Sequence, residues 1–313
     1  MKIFDDIRSS CERSLQAMGI NAECYLLPGG VGLKLIGKAH HNLNQLNALP
    51  IVECDLSELD SINLNFMDHE KVVSLVLPFR TQIPFADLNK FNLKELKASR
   101  ALSSDFESLT RHELETLEIP GCNLSNLDFC QKFALRKLNL ADTQVSDLQP
   151  LQNSELEELD LFKTRVNDIS SLNCEKMINL VLSGTPIKSI SPLSLSKKLR
   201  KLEIRGTSVS DLSPLAETEI KELYLPGSEV KSIDSLAYLP IENLNIIGLE
   251  LRDLSCLSTL PLRSLAISPN LLCREDLEFL ENLEIDRLRG PGDNEDQTSL
   301  VFFQKYLQNS HSD

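Results

Sequence analysis

Leu27-Pro28-Gly29-Gly30-Val31-Gly32 is a glycine cluster of the kind that lets backbone amides close on phosphate. It lacks the Lys-Ser/Thr ending of a phosphate loop, and no helical pattern follows it, so it reads as a turn. His40, His41, His69 and His112 are the candidate metal donors. They show neither HxH nor HExxH spacing and read as solvent-exposed side chains. The 8 cysteines contain no CxxC, and the nearest pair is Cys122 and Cys130. They read as free thiols packed as small hydrophobes. Asp147, Asp168, Asp211 and Asp253, with Ser189 and Ser232 at equivalent places, form an acidic ladder that resembles a calcium-binding array. Each sits in a turn, where Asp commonly accepts its own backbone amide, and that structural role is the expectation. No Gly-x-Ser-x-Gly elbow is present. No catalytic, cofactor or metal set is therefore assigned, and the chain reads as a non-enzyme.

The elements that must carry any site follow from composition. The 313 residues include 46 acidic and 32 basic side chains, a formal charge of −14. Such a field repels nucleic-acid phosphates and anionic membranes, which disfavours both as partners. The N-terminus lacks a signal-peptide core, and no stretch approaches the ~18 apolar residues of a membrane span. The expectation is a soluble, cytoplasmic monomer, with secretion by a signal-less route as the other outcome. Leu supplies roughly a fifth of the chain while Trp is absent, which is the composition of a repetitive fold.

The repeat is explicit. Leu135, Leu138, Leu140, Thr143, Val145, Leu148 and Leu151 recur 21 residues later as Leu156, Leu159, Leu161, Thr164, Val166, Ile169 and Leu172. The frame runs on through Leu180, Leu182 and Thr185, then Leu202, Ile204 and Thr207, then Leu223, Leu225 and Ser228, and ends near Leu265, Ile267 and Asn270. It extends back through Leu117, Ile119 and Cys122 to Leu33 and Leu35. These residues resemble leucine-rich repeats. Thr207-Ser-Val-Ser-Asp-Leu-Ser-Pro-Leu215 is similar to the short repeats of bacterial internalins, and closer still to the repeat tails of bacterial Ser/Thr protein kinases. The kinase domain itself is absent, with no HRD or DFG motif.

The resemblance implies an α/β solenoid: a right-handed leucine-rich repeat superhelix of about twelve coils with a parallel sheet on its concave face and helical caps. Residues 1–29 are expected to form the first cap and a flanking strand, residues 30–288 the solenoid, and residues 289–313 a closing loop and helix. Phe4, Ile7, Cys11, Leu15 and Met18 mark the first helix; Leu300, Val301, Phe303, Tyr306 and Leu307 mark the last. The inward Thr is expected to bond free turn backbone, and Pro150, Pro192 and Pro214 to stiffen a short 3₁₀-like wall.

In LxxLxL the residue between the last two leucines points outward. That row carries Asp160, Val181, Glu203 and Tyr224, and the row after the third leucine carries Phe162, Ser183 and Arg205. Asp160, Phe162, Val181, Glu203, Arg205 and Tyr224 match the composition of interface anchors and are the expected partner-binding residues. The function expected is a non-catalytic module for protein–protein interaction. The competing expectation is a regulatory or substrate-recognition subunit of a bacterial enzyme system such as a Ser/Thr kinase.

Overall fold

A strand turns the second and third leucines of LxxLxL to one side, and a single coil has nothing to bury them against. Stacking in register supplies the partner. The structure, a computed structural model, describes residues 2–37, 43–60, 64, 67, 70–110 and 113–306. His40, His41, His69 and His112 lie outside the described residues. The chain forms two compact units, Met1–Val145 and Ser146–Asp313.

In the first unit helix α1 (Lys2–Ala17) precedes strands β1 (Ala22–Leu27) and β2 (Gly30–Leu35). Five more strands follow: β3 (Ile51–Asp55), β4 (Ser74–Val76), β5 (Glu95–Lys97), β6 (Thr116–Glu118) and β7 (Lys137–Asn139). β1 and β2 pair antiparallel, and β2 to β7 pair parallel in chain order. The glycine cluster is the β1–β2 hairpin. Gly29 has φ +90°, and a Cβ at Gly30 or Gly32 would lie 2.3 Å from the Pro50 carbonyl oxygen or 2.1 Å from the Tyr25 ring. Those glycines serve packing, as the missing phosphate-loop ending implied. On α1, Cys11 and Leu15 are buried while Ile7 is 37% exposed and Met18 lies beyond the helix; the side chain of Phe4 is outside the described residues.

The second unit runs β8 (Glu158–Asp160), β9 (Asn179–Val181), β10 (Lys201–Glu203), β11 (Glu222–Tyr224), β12 (Asn243–Asn245), β13 (Ser264–Ala266), α2 (Arg274–Glu281), β14 (Arg287–Arg289) and α3 (Ser299–Tyr306). All seven strands are parallel and in register. Leu159, Leu180, Leu202, Leu223, Leu244, Leu265 and Leu288 form its buried spine. β14 continues the strand row one coil beyond the expected end at Ala266.

The turns are fixed by three repeated devices. Thr143, Thr164, Thr185 and Thr207 are buried, and each hydroxyl donates to the carbonyl three residues earlier at 2.6–2.9 Å. Immediately before each, Asp142, Lys163, Gly184 and Gly206 take φ between 55° and 72°, a left-handed turn that favours Gly. Further on, Asp147, Asp168, Asp211 and Asp253 accept the amide two residues ahead, each at 2.8 Å. The hydroxyls of Ser189 and Ser232 accept the equivalent amides. The acidic ladder is thus a ladder of capped turns. Pro150, Pro192 and Pro214 open 3₁₀ segments at Gln149–Leu151, Ser191–Leu195 and Ser213–Leu215.

Four expectations need correction. Asn270 does not line the interior; it is exposed on the Pro269–Leu271 turn, and Pro269 is buried instead, because a full α-helix replaces the short wall of that coil. α3 buries Phe302 and leaves Leu300 at 68% and Val301 at 47% exposed, so the face chosen from spacing is displaced by one residue. Asp293 helps set that orientation: its carboxylate receives the Gly290 amide, the Gln297 amide and the Lys305 ammonium at 2.6–3.0 Å. Leu307 lies outside the described residues. Ser228 takes the Thr position with its hydroxyl buried and without a partner among the described residues. Finally, Cys273 is exposed at the N-cap of α2 while the other seven cysteines are buried; all eight are unpaired.

One feature of the first unit is absent from the leucine pattern. Phe85, Phe106 and Phe129 stack on successive coils with ring centroids 4.9 and 5.3 Å apart. Asp105 pins this stack by accepting the amides of Phe85 and Ala86 and the hydroxyls of Ser103 and Ser108.

Two outcomes follow. Partial burial works against the Asp105 carboxylate, yet its four donors hold its pKa below the ordinary value. A depressed folded pKa stabilises fully above the unfolded pKa of about 4 and loses that contribution as pH falls through the folded value. The Tm deficit of Asp105→Asn should therefore be largest near neutrality and shrink below about pH 4; a deficit constant with pH would show that the carboxylate charge is irrelevant. For the thiols, burial pushes Cys24, Cys122 and Cys174 up to about 11 and raises Cys54 and Cys130 further. A thiol reagent at about pH 8 should titrate one equivalent on the native protein and none on Cys273→Ser, whereas unfolded chain should yield all eight.

Candidate functional site

The open face of the second unit is built by register. Val181 faces both Asp160 and Glu203 across the strand pairs, and Glu203 faces Tyr224, so four adjacent strands present one row. Phe162 and Arg205 follow two residues past the row, just beyond the ends of β8 and β10. At ~4.8 Å between strands, the four strands span about 14 Å.

Three of the six expected residues form one cluster. The Arg205 guanidinium lies 5.1 Å from the Tyr224 ring centroid and Lys201 Nζ lies 5.5 Å from it. Both cations reach the Glu203 carboxylate, Lys201 at 3.1 Å and Arg205 at 3.8 Å. The Tyr224 hydroxyl donates to Glu222 at 3.2 Å. Burial, with the Glu222 charge beside it, pushes the Tyr224 phenol up to about 12, so it remains a donor at neutral pH. The result is an aromatic ring held upright by charges already matched within the protein. Arg205 is oriented further by its own amide, which donates to the Ser183 hydroxyl at 3.1 Å.

The other three stand apart. Phe162 is 38% exposed, with Lys163 Nζ 4.9 Å from its ring centroid. Val181 is half-buried between Asp160 and Glu203. Asp160 has a structural duty that composition did not suggest: its Oδ1 accepts the Phe162 amide at 2.9 Å. Asp55, Asn139 and Asn245 do the same on their strands. Asp160 therefore sets the position of Phe162 as well as facing outward.

Lys201 and Glu222 were not among the expected residues. Both precede the mid-strand leucine, two residues before Glu203 and Tyr224, so the period of two puts them on the same face. That signal was legible in LxxLxL and belongs to a third outward row.

No family model matches the chain, and no curated protein matches it. Solved structures do match. Internalin C2 of Listeria monocytogenes is 23% identical, with a TM-score of 0.54 over 59% of this chain and 84% of its own. Internalin F of the same organism is 19% identical, with a TM-score of 0.58 over 81% of this chain and 90% of its own. The functional domain of InlJ, also from L. monocytogenes, is 18% identical, with a TM-score of 0.52 over 73% of this chain and 55% of its own. The fold is a leucine-rich repeat solenoid. Among the described residues, no helix is long and apolar enough to cross a membrane.

In this solenoid the inward and outward residues of one strand carry different loads. Leu159→Ala should lose about 2–5 kcal/mol through the cavity it leaves. Phe162→Ala, two turns of the pleat away but facing solvent, should stay within about 0.5 kcal/mol. Tyr224→Ala should fall between them, near 1 kcal/mol, because it removes two cation–ring contacts and a hydrogen bond from a half-buried side chain. Chemical denaturation of the three variants checks the order; a Phe162 cost equal to that of Leu159 would place Phe162 in the core.

Proposed function

We propose that this chain is a non-catalytic protein-interaction module, and that it engages its partner on the open sheet face of the Ser146–Asp313 unit around Phe162, Val181, Glu203, Arg205 and Tyr224. The observation that carries this reading is Tyr224 bracketed by Lys201 and Arg205. An aromatic and an arginine pre-positioned on an exposed sheet lose little rotamer freedom when a partner covers them, which is the property of binding anchors. Leucine-rich solenoids offer such extended faces to proteins. The similarity of Thr207–Leu215 to internalin repeats and kinase repeat tails supports a bacterial setting. The unpaired cysteines favour a reducing, cytoplasmic one.

The test is affinity capture from the native host with wild-type chain and with Phe162→Ala/Tyr224→Ala as bait. The double variant should retain its solenoid circular dichroism and lose the captured partner, with binding to the purified partner weakened at least roughly tenfold. Undiminished capture would move the contact to another surface.

A further inference from the structure

The row through Tyr224 continues across β12, β13 and β14 in register: Tyr224 faces Asn245, Asn245 faces Ala266, and Ala266 faces Arg289. Asn245 and Ala266 are buried to 6% and 1% exposure, so the row dips between an aromatic wall and a guanidinium wall. Three strand spacings make this trough about 14 Å wide, the reach of roughly four extended residues.

Two groups in it lack partners. On this face Lys201 and Arg205 are matched by Glu203, whereas Arg289 has no ion pair or side-chain hydrogen bond among the described residues. Its neighbour Arg287 is only 3.9 Å from an exposed Asp296. Other cations, Arg165 and Arg252 among them, also lack an ion pair among the described residues, but Arg289 is the one that stands on this row. Asn245 is the second group. Its Oδ1 accepts the Ile247 amide at 3.2 Å, which fixes the amide orientation and leaves its NH2 with no acceptor among the described residues. Asn243 and Ser264, beside them on β12 and β13, are uncharged.

We infer that this trough binds an extended acidic peptide segment of the protein partner. A carboxylate of the segment meets Arg289, a backbone carbonyl accepts from the Asn245 amide, and an apolar side chain lies against Tyr224. The charge complementarity is local: Arg289 supplies the one cation on the row that the protein does not neutralise itself, and an arginine fork matches a carboxylate. This rests on reading the open face as a binding surface and specifies what that surface accepts.

The probe is a fluorescein-labelled Phe-Ser-Ser-Glu-Glu peptide, measured by polarisation against the full chain. Its Gln-Gln analogue and hexathymidylate are the comparisons. Saturable binding of the acidic peptide is expected, weakened roughly tenfold in the Gln-Gln analogue and in Arg289→Gln. Asn245→Asp keeps the backbone acceptor but removes the donor, so it should weaken binding too, while Arg263→Gln on the sheet's flank should leave it unchanged. Unaltered melting of Arg289→Gln separates loss of contact from loss of fold. No saturable binding below about 1 mM, equal binding of the Gln-Gln peptide, equal binding by Arg289→Gln, or hexathymidylate binding as tightly as the peptide would each overturn the inference. A partner lost by Phe162→Ala/Tyr224→Ala but kept by Arg289→Gln would leave the open-face reading standing and remove the trough from it.

Discussion

The structure depends on the inability of one coil to bury its own leucines. A 21-residue turn of chain offers a ridge of apolar side chains on a three-residue strand, and nothing within the coil covers it. Only a neighbour in register does. Each mid-strand leucine of the second unit meets the next one directly, from Leu159 to Leu180 and on to Leu288. A slip of one residue would turn every leucine outward at once. The turn devices serve this register. Where they occur, the Thr hydroxyl, the left-handed residue before it and the Asp after it hold the turn in one conformation, so the coils that carry them share their turn geometry.

That constraint explains which parts of the molecule were legible in the sequence. The strand row from Lys34 to Ala266 was readable because every member sits at a fixed offset from a leucine. The roles of Thr143, Thr164, Thr185, Thr207 and the aspartate ladder followed from the same spacing. Asn270 was misread where α2 lengthens its coil, because the frame no longer predicts which residue turns inward. The face of α3 was misread because a short helix with five apolar residues in eight gives a weak periodic signal, and the choice of Phe302 is made by contacts around β14 and Asp293. The phenylalanine stack of the first unit was hidden for a related reason: Phe85, Phe106 and Phe129 are spaced 21 and 23 residues apart and only loosely share a motif position.

The candidate site was legible in outline and not in its chemistry. Composition singled out Tyr224, Arg205 and Glu203, and the structure brings them together. It could not show that Lys201 completes the cluster or that Asp160 is bound to the backbone of its own turn. Both facts depend on distances between strands and within turns, which a pattern of residue types does not contain. The lesson is specific to sheets of short strands: all outward positions before and after the mid-strand leucine share a face, so three rows, not two, must be read together.

Register also determines where the surface can recognise anything. Because the strands of the second unit pair in continuous register, relief on its open face follows side-chain size. Ser183, Asn245, Ala266 and Ser268 are low points, and Phe162, Arg205, Tyr224 and Arg289 are high ones. Charge is distributed on the same lattice. Along β10 and β11 the protein neutralises its own cations, so those residues contribute shape and orientation more than net field. At β14 it does not. A partner that senses both would be held by the aromatic high points for area and by Arg289 for sign, and the two contributions reside on strands that can be altered separately without disturbing the leucines beneath them.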